Sequence, residues 1–247
     1  KNLVVEFALD NPPLSSRESG ASVNVIIFGA SGMIGAGTLI ECLEDPRITS
    51  VLAVGRTPTG ITHAKLREIL HTDFFDFTPL AAEFARCDAC FFTLGTTAVG
   101  KDEATYSRLT YDLTLTAARA MVAANPAMTF CYVSGDGADS SERGRVMWAR
   151  VKGRTENALL ALPFKASYMF RPALIFPRKG VRSKTGWYQA FYNVFGPFYP
   201  AFQRFFGRWV TTTAHHGKAF IEVAVRGYPR RILYSRDINT LARPRGG

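Results

Sequence analysis

The chain has 247 residues, 47% of them hydrophobic, which is enough to bury a core as one domain with a small appendage and excludes a disordered protein. The formal net charge of +10 is uneven: residues 178–247 carry 13 Lys and Arg against 2 Asp and Glu, whereas residues 1–177 carry 17 against 18. No run of 18 apolar residues and no signal-peptide pattern is present, so the sequence predicts a cytoplasmic protein without a transmembrane helix.

The first 22 residues are predicted to be a leader or flexible arm, because LDNPPLSSRESGAS is rich in Pro, Ser and Gly. From Val23, strand-like runs such as VNVIIFG, SVLAVG, DACFFTLG, MTFCYVSG and KASYMFRP alternate with amphipathic helical windows. The strands are apolar without polar alternation, which indicates burial on both faces. We therefore expect an α/β fold with a doubly wound, mostly parallel sheet over residues 23–177.

The segment GASGMIG follows the first strand and opens a helix. Glycines at such a turn let the backbone approach a pyrophosphate, and the helix N-terminus offers unpaired N–H groups to it. The strand before, the helix after and a second strand ending about 20 residues later meet the context that this motif requires. The motif predicts dinucleotide contacts at Gly29, Ser31, Gly32, Met33, Ile34 and Gly35.

Later strand ends extend the predicted dinucleotide site. Arg56 stands after the second strand, where an NAD enzyme usually carries an acidic residue, so NADP(H) is favoured and NAD(H) stays open. Asp73, at the end of the third predicted strand, is either a partner for the adenine amino group or an ordinary strand-end carboxylate. Small residues after the fourth strand leave room for the middle of the cofactor: Leu94, Gly95 and Thr96.

The cysteines and histidines do not indicate a metal or redox site. Cys87 and Cys90 form a CxxC that leads into a strand rather than starting a helix, so buried thiols are favoured over a redox pair. Cys42 and Cys131 lie in apolar runs. No metal is predicted, because no ligand-like spacing joins the four histidines, which are His63, His71, His215 and His216.

Residues 178–247 are predicted to form a small C-terminal helical unit for substrate binding or as a lid. Positions 186–210 hold eleven aromatic residues broken by two prolines, which favours a helix pair. A helix entered through Thr211–Thr213 and a short strand RRILYS are expected to follow. Aromatic and basic residues also suit a protein partner or a membrane surface, although core or substrate-pocket packing is the preferred interpretation.

Over roughly residues 23–240 the chain resembles the short-chain dehydrogenase/reductase superfamily in its atypical or extended form, through GASGMIG, VGR, LGTT, YVSG, VKG and FRPALIF in the right order. More narrowly, CFFTLGTT, YVSGDGADSSERG and VKGRTENAL resemble the branch of a Tat-interacting metastasis suppressor and its bacterial epimerase/dehydratase-like relatives. The resemblance implies a nicotinamide cofactor and a mechanism in which a serine polarises a carbonyl, a tyrosine transfers the proton, and a lysine four residues on assists it and holds the ribose.

On this chain Ser134 matches the serine and Lys152 the lysine, and both are the catalytic candidates, whereas Trp148 stands where the tyrosine belongs. An indole N–H donates a hydrogen bond but does not transfer a proton usefully. Lys152 is therefore predicted to bind cofactor beside a lost or relocated acid, against the alternative of a surface lysine on a core helix. The replacement acids weighed are Asp136, Asp139, Tyr106 and Tyr132.

Two functions follow from these patterns. The first is an NADP(H)-dependent oxidoreductase or epimerase-like enzyme acting on an unidentified small carbonyl or alcohol. The second is a non-catalytic cofactor-sensing protein whose aromatic, basic segment 186–210 binds a partner. A homodimer through helices near 103–124 and 145–161 is compatible with the fold but not indicated by the sequence. Nucleic acid is not an expected partner, because no reading module is present.

Overall fold

A computed structural model of the chain describes residues 22–177 and 209–243. The strands of this part are β1 Val23–Phe28, β2 Ile48–Gly55, β3 Leu66–Leu70, β4 Ala89–Phe92, β5 Thr129–Val133, β6 Ala166–Arg171, β7 Leu174–Phe176, β8 Val210–Thr212 and β9 Ile232–Tyr234. Its α-helices are α1 Met33–Glu44, α2 Ala81–Phe84, α3 Glu103–Ser107, α4 Leu113–Ala124, α5 Met147–Ala161, α6 Thr213–Arg226 and α7 Ser235–Leu241.

Seven strands form one sheet in the order β3-β2-β1-β4-β5-β6-β9, and every neighbouring pair is parallel. The chain moves outward from β1 to β3 and then returns to β4 on the other side, so the order reverses between β1 and β4. In such sheets the crevice at the carboxyl ends of the reversing strands is the usual ligand site. The predicted α/β fold with a doubly wound parallel sheet is confirmed.

Helices cover both faces of the sheet, as the apolar strands predict. On one face α1 and α6 pack together, and Phe220 of α6 stacks on Phe91 of β4 with ring centroids 5.1 Å apart. On the other face α2, α4 and α5 cover a core that includes Phe84, Met121 and Leu159. The central strands are consequently buried on both sides, which explains their lack of polar alternation.

The long helix expected after the fourth strand is present with one departure. Asp102 caps α3 by accepting a hydrogen bond from the Thr105 amide at 2.8 Å. Between α3 and α4 the helix widens into a π-helical turn, Arg108–Asp112. Such turns are rare and the sequence has no signal for one. The turn lies beside α5, so it adjoins the helix that carries the candidate lysine.

Residues 209–243 contribute β9 to the same sheet, whereas β8 pairs with β7 in a separate two-stranded parallel sheet. Thr212 caps α6, as expected of the threonine run, by accepting a hydrogen bond from the His215 amide at 3.1 Å. The strand predicted in RRILYS is β9, which pairs with β6. Of the aromatic segment 186–210, residues 186–208 lie outside the described residues, and the predicted boundary at 177/178 stays a prediction.

All four cysteines are buried and free, including both members of the CxxC. Burial raises the pKa of the Cys87 thiol to about 12, so this thiol is not activated. The preferred interpretation of the CxxC as core thiols agrees with this packing. Among the helices of the described residues, none has the length and apolar character needed to cross a membrane.

Candidate functional site

The glycine-rich turn between β1 and α1 is shaped as the motif predicts. Gly29 has φ +81, which L side chains rarely adopt, and its carbonyl accepts a hydrogen bond from the Gly32 amide at 2.8 Å. A Cβ on Gly35 would collide with the Gly29 carbonyl, so the glycine lets helix and strand touch. Gly32 occupies the N-cap position of α1 but has no side chain to cap the helix amides, and the first helical turn has no acidic residue. The turn therefore fits a pyrophosphate, whose oxygens would accept from the amides at the start of α1.

The ends of β2 and β3 form the neighbouring part of the site. Gly55 and Ser31 line a narrow pocket together with Glu68, whose carboxylate accepts a hydrogen bond from the Thr59 amide at 2.8 Å. Arg56 is exposed at the rim. Glu68 is a site residue that sequence reasoning missed. Only the pairing of β3 with β2, which sets Glu68 opposite Ala53, reveals its place.

Asp73 lies farther from this pocket than expected. The third strand ends at Leu70, three residues earlier than predicted, and Asp73 is exposed in the following turn. Its carboxylate accepts a hydrogen bond from the Phe75 amide at 2.9 Å, which is a turn interaction. The structure favours the strand-end interpretation, and an adenine contact stays a prediction.

The end of β4 leaves space in the crevice. Thr93 ties β4 to β1, because its hydroxyl donates a hydrogen bond to the Phe28 carbonyl at 2.6 Å. Leu94 and Thr96 are half-buried, and Gly95 between them is exposed, with no atom within 4 Å of a Cβ placed on it. This opening faces the carboxyl edge of the sheet, where the middle of a dinucleotide is expected.

Ser134 follows β5 at the same edge. Its amide donates a hydrogen bond to the Phe170 carbonyl at 2.8 Å, which fixes the backbone. The Ser134 hydroxyl oxygen is buried and has no hydrogen-bond partner within residues 22–177 and 209–243. An unpaired buried hydroxyl is costly, so this atom fits a group supplied by a ligand.

Lys152 is buried in α5, with 9% of its surface exposed, so the alternative of a surface lysine is wrong. Its ammonium donates hydrogen bonds to the Tyr132 hydroxyl at 2.9 Å and the Val133 carbonyl at 3.1 Å. Burial lowers the pKa of Lys152 to about 8, and the Glu156 carboxylate one turn away opposes that change. The pKa of Lys152 is therefore well below that of an ordinary lysine, and its ammonium lies beside the backbone that leads into Ser134.

The tyrosine that is hydrogen-bonded to Lys152 lies on strand β5 and not on helix α5. Tyr132 of β5 is fully buried, and burial raises the pKa of its phenol well above the ordinary value. It is therefore neutral, and its oxygen accepts from the Lys152 ammonium. Of the replacement acids considered, Tyr132 alone is hydrogen-bonded to Lys152 among the described residues.

Trp148 packs against the loop between β5 and α5. Its six-membered ring lies 3.4 Å from where a Cβ on Gly137 would be and 3.8 Å from that of Gly135. Gly137 has φ +92, so the β5–α5 loop takes a conformation that suits glycine and lets the indole lie against it. The tryptophan thus holds the loop after Ser134 in place.

The remaining candidate acids have other roles. Asp139 accepts hydrogen bonds from the Ser141 hydroxyl at 2.6 Å and from the Gly144 and Ser141 amides at 2.7 and 2.9 Å, and these bonds lower its pKa, so it stays ionised and holds the loop. Tyr106 is buried beside Thr110, and burial raises its pKa. Asp136 lines a cavity of about 220 Å³ with Arg171, Trp209, Tyr234, Ser235 and Arg236. Asp136, at the edge of this cavity, lies two residues from Ser134 in the chain.

A buried ion pair supports the wall of this cavity. Arg171 at the end of β6 donates from its Nε to both carboxylate oxygens of Glu156 at 3.0 Å, and a second guanidinium nitrogen also contacts Glu156. It reaches Tyr234 at 3.2 Å and Ser140 at 2.6 Å as well. The pair joins α5, β6 and β9, which keeps Lys152 and the cavity in fixed relation.

No protein-family profile matches the chain. Its curated relatives include the mitochondrial protein Fmp52 of Emericella nidulans, 31% identical over 159 residues that cover 62% of this chain and 66% of the relative. Another is the mitochondrial Fmp52 of Debaryomyces hansenii, which is 26% identical over 64% of this chain and 69% of the relative. The match with the first relative thus spans just under two thirds of its length. These names overturn the prediction of a cytoplasmic protein, which is wrong.

Solved structures with the same fold include the Bordetella bronchiseptica enzyme WbmF in complex with NAD+, with a TM-score of 0.61, 15% identity and coverage of 90% of this chain and 77% of that one. A short-chain dehydrogenase/reductase from Saccharomyces cerevisiae has a TM-score of 0.60, 13% identity and coverage of 90% and 98%. The ADP-L-glycero-D-manno-heptose-6-epimerase of Helicobacter pylori has a TM-score of 0.61, 11% identity and coverage of 87% of this chain and 76% of that one. This chain therefore has the Rossmann fold found in short-chain dehydrogenase/reductase and epimerase enzymes.

Proposed function

We propose that the protein is a nicotinamide-dinucleotide oxidoreductase that reduces a small carbonyl compound or oxidises the corresponding alcohol. The observation that carries this proposal is the crevice between β1 and β4, where the glycine turn, the uncapped start of α1 and the opening at Gly95 lie together. The NAD+ complex of a protein with this fold supports it. The narrower resemblance to the Tat-interacting branch stays a prediction.

Different residues of the chain would bind the dinucleotide and the substrate. The amides at the start of α1 would bind the pyrophosphate, and the gap at Gly95 would admit the middle of the dinucleotide. The bound dinucleotide supplies hydride chemistry. The unpaired Ser134 hydroxyl would donate a hydrogen bond to the substrate oxygen, where negative charge develops. The cavity at Asp136 would hold the rest of the substrate.

We favour NADP(H) over NAD(H) because Arg56 follows β2 with an exposed side chain that can reach a 2′-phosphate. Glu68 opposes this preference, since it lines the pocket to which the neighbours of Arg56, Gly55 and Thr57, also belong. Arg56→Glu should then weaken NADPH binding more than NADH binding, and Glu68→Gln should strengthen NADPH binding. Equal changes for the two nucleotides in either variant would remove the basis of the NADP(H) preference.

Gly95 gives a test of the crevice that does not disturb the fold. A side chain at this position meets no atom, so Gly95→Leu should leave the melting temperature unchanged while filling the space for the dinucleotide. Calorimetric titration with NADPH and NADH should show binding to the wild type and a loss of at least about tenfold in the variant, equal to about 1.4 kcal/mol. The control is Val99→Leu, four residues on and exposed. Wild-type protein that binds neither nucleotide, or a variant that binds normally, refutes the proposal.

Cofactor sensing without catalysis is the second candidate, and Trp148 at the place of the usual acid is the observation that favours it. Such a protein would bind NADPH, fail to turn over aldehydes, ketones and quinones, and retain a partner through residues 186–210.

Because the curated relatives are mitochondrial, we also propose that the protein works in mitochondria. Fractionation of cells that express it from its native gene tests this proposal.

A further inference from the structure

The proposed reduction needs a proton donor for the substrate oxygen. The surroundings of each candidate group near the crevice exclude most of them. Trp148 carries no ionisable proton and lies against the loop glycines. Asp139 is ionised and held by backbone amides. Tyr132 is buried behind the lysine with its oxygen already accepting a hydrogen bond. Lys152 is the group among these that carries a positive charge and, within residues 22–177 and 209–243, an N–H donor without an acceptor.

The hydrogen-bond count of Lys152 supports this role. An ammonium has three N–H donors. Two are used, by the Tyr132 hydroxyl and the Val133 carbonyl, and both acceptors belong to β5. The Val133 carbonyl belongs to the peptide group that ends in the Ser134 amide, so the ammonium lies beside the residue whose hydroxyl is unpaired. The ammonium and the Ser134 hydroxyl therefore adjoin the same peptide group, Val133–Ser134.

We propose that Lys152 is itself the proton donor of the reduction, and that Tyr132 is a positioning residue that holds its ammonium. This inference rests on the proposed function. A reduced nicotinamide dinucleotide supplies the hydride, which forms the new C–H bond as the carbonyl π pair moves to oxygen. That oxygen takes a proton from the Lys152 ammonium, whose N–H bond breaks, and the products are an alcohol, an oxidised dinucleotide and a neutral amine. Solvent reprotonates the amine before the next cycle.

The charges around Lys152 keep it able to donate at neutral pH. Burial lowers its pKa to about 8, and Glu156 on the same helix limits that change. Glu156 is neutralised by Arg171 from β6. Tyr132 from β5 and Tyr106 from α3 are buried phenols with raised pKa values, so they carry no charge that competes. The ammonium thus predominates below pH 8 and releases a proton more readily than an ordinary lysine.

The first test measures NADPH-dependent reduction of aldehydes, ketones and quinones with dinucleotide affinity measured in parallel. Lys152→Met and Lys152→Arg should both lower kcat about 10²–10⁴-fold, because neither side chain gives up a proton. An exposed lysine on α6 provides the control Lys218→Met. If Lys152→Arg restores the rate, the lysine contributes only charge and the inference is wrong.

The second test reads the proton directly and remains informative if a Lys152 variant folds poorly. The wild-type rate of reduction should fall above about pH 8, and Tyr132→Phe should move that fall lower by about one pH unit, because the ammonium loses an acceptor. The control is Tyr168→Phe, which removes a buried hydroxyl on the other face of the sheet. NMR of 13C-labelled lysine in nucleotide-free protein should show the same shift. Unchanged titration in Tyr132→Phe overturns the inference.

The outcomes separate the two proposals. Wild-type protein that binds neither NADPH nor NADH removes the proposed function. If the protein binds NADPH and reduces a carbonyl, but its pH profile and the titration of Lys152 are the same in wild type and Tyr132→Phe, the proposed function stands and this inference is wrong. Binding without turnover of any carbonyl overturns the inference and favours cofactor sensing.

Discussion

The burial of Lys152 has a consequence for stability that needs neither cofactor nor substrate. In the folded chain the pKa of Lys152 is lowered from its ordinary value of 10.5 to about 8, because desolvation outweighs the attraction of Glu156. The unfolded chain therefore binds a proton between pH 8 and pH 10.5 that the folded chain has released. Stability must rise with pH across this window, since the state that binds more protons is the unfolded one.

The magnitude follows from the two pKa values. Each pKa unit corresponds to about 1.4 kcal/mol, so the interval between about 8 and 10.5 is equivalent to about 3 kcal/mol of unfolding free energy. Buried cysteines act in the opposite direction above pH 9, because their pKa values are raised in the fold. The lysine contribution is accordingly cleanest between pH 8 and 9, and the useful quantity is the difference between wild type and Lys152→Met.

The assay is urea unfolding under reducing conditions at intervals from pH 7 to 10.5, with the slope on urea concentration checked for constancy. The wild type should gain about 1 kcal/mol relative to Lys152→Met between pH 8 and 9 and about 3 kcal/mol by pH 10.5. The exposed control Lys218→Met should follow the wild type. Parallel curves for wild type and Lys152→Met would show that the lysine is not desolvated, and the argument for its lowered pKa would fail.

Three further changes test the surroundings of the site. Arg171→Met should cost about 3–5 kcal/mol of unfolding free energy, because it leaves the Glu156 carboxylate buried without its partner. Gly153→Ala should cost about 2–3 kcal/mol, since the added methyl collides with the Asp139 carbonyl where the loop crosses α5. His216 has a pKa lowered to about 4 by burial, so stability should fall as pH drops below 6.5, by about 2 kcal/mol at pH 5, and His216→Leu should remove that loss.

Each of these changes has a matched control. Arg67→Met breaks an exposed pair with Glu83 and should cost about 0–1 kcal/mol. Gly95→Ala adds a methyl into open space and should leave the melting temperature unchanged. A cost for Arg171→Met as small as that for Arg67→Met would contradict the burial of the Glu156 pair. A cost for Gly153→Ala as small as that for Gly95→Ala would contradict the close contact between Gly153 and the Asp139 carbonyl.

The local pattern of residues was sufficient for much of the fold. Apolar strands alternating with amphipathic helices predicted a doubly wound parallel sheet, because burial on both faces leaves a signal in each strand. The glycine turn was predictable for a similar reason, since the positive φ of Gly29 and the contact at Gly35 are requirements that adjacent residues satisfy. Thr212 as a helix cap belongs to the same class of short-range features.

Other features depend on which segments the fold brings together. Glu68 enters the pocket because β3 pairs with β2, and the sequence between them does not indicate it. Lys152 lies four residues from Trp148 in the chain, yet its hydrogen bonds run to Tyr132 and Val133 on β5, which are 20 and 19 positions away. Helical spacing therefore predicted a lysine without its acid. Only the packing of α5 on β5 shows that a buried strand tyrosine holds it, because burial and hydrogen-bond partners are properties of the assembled core.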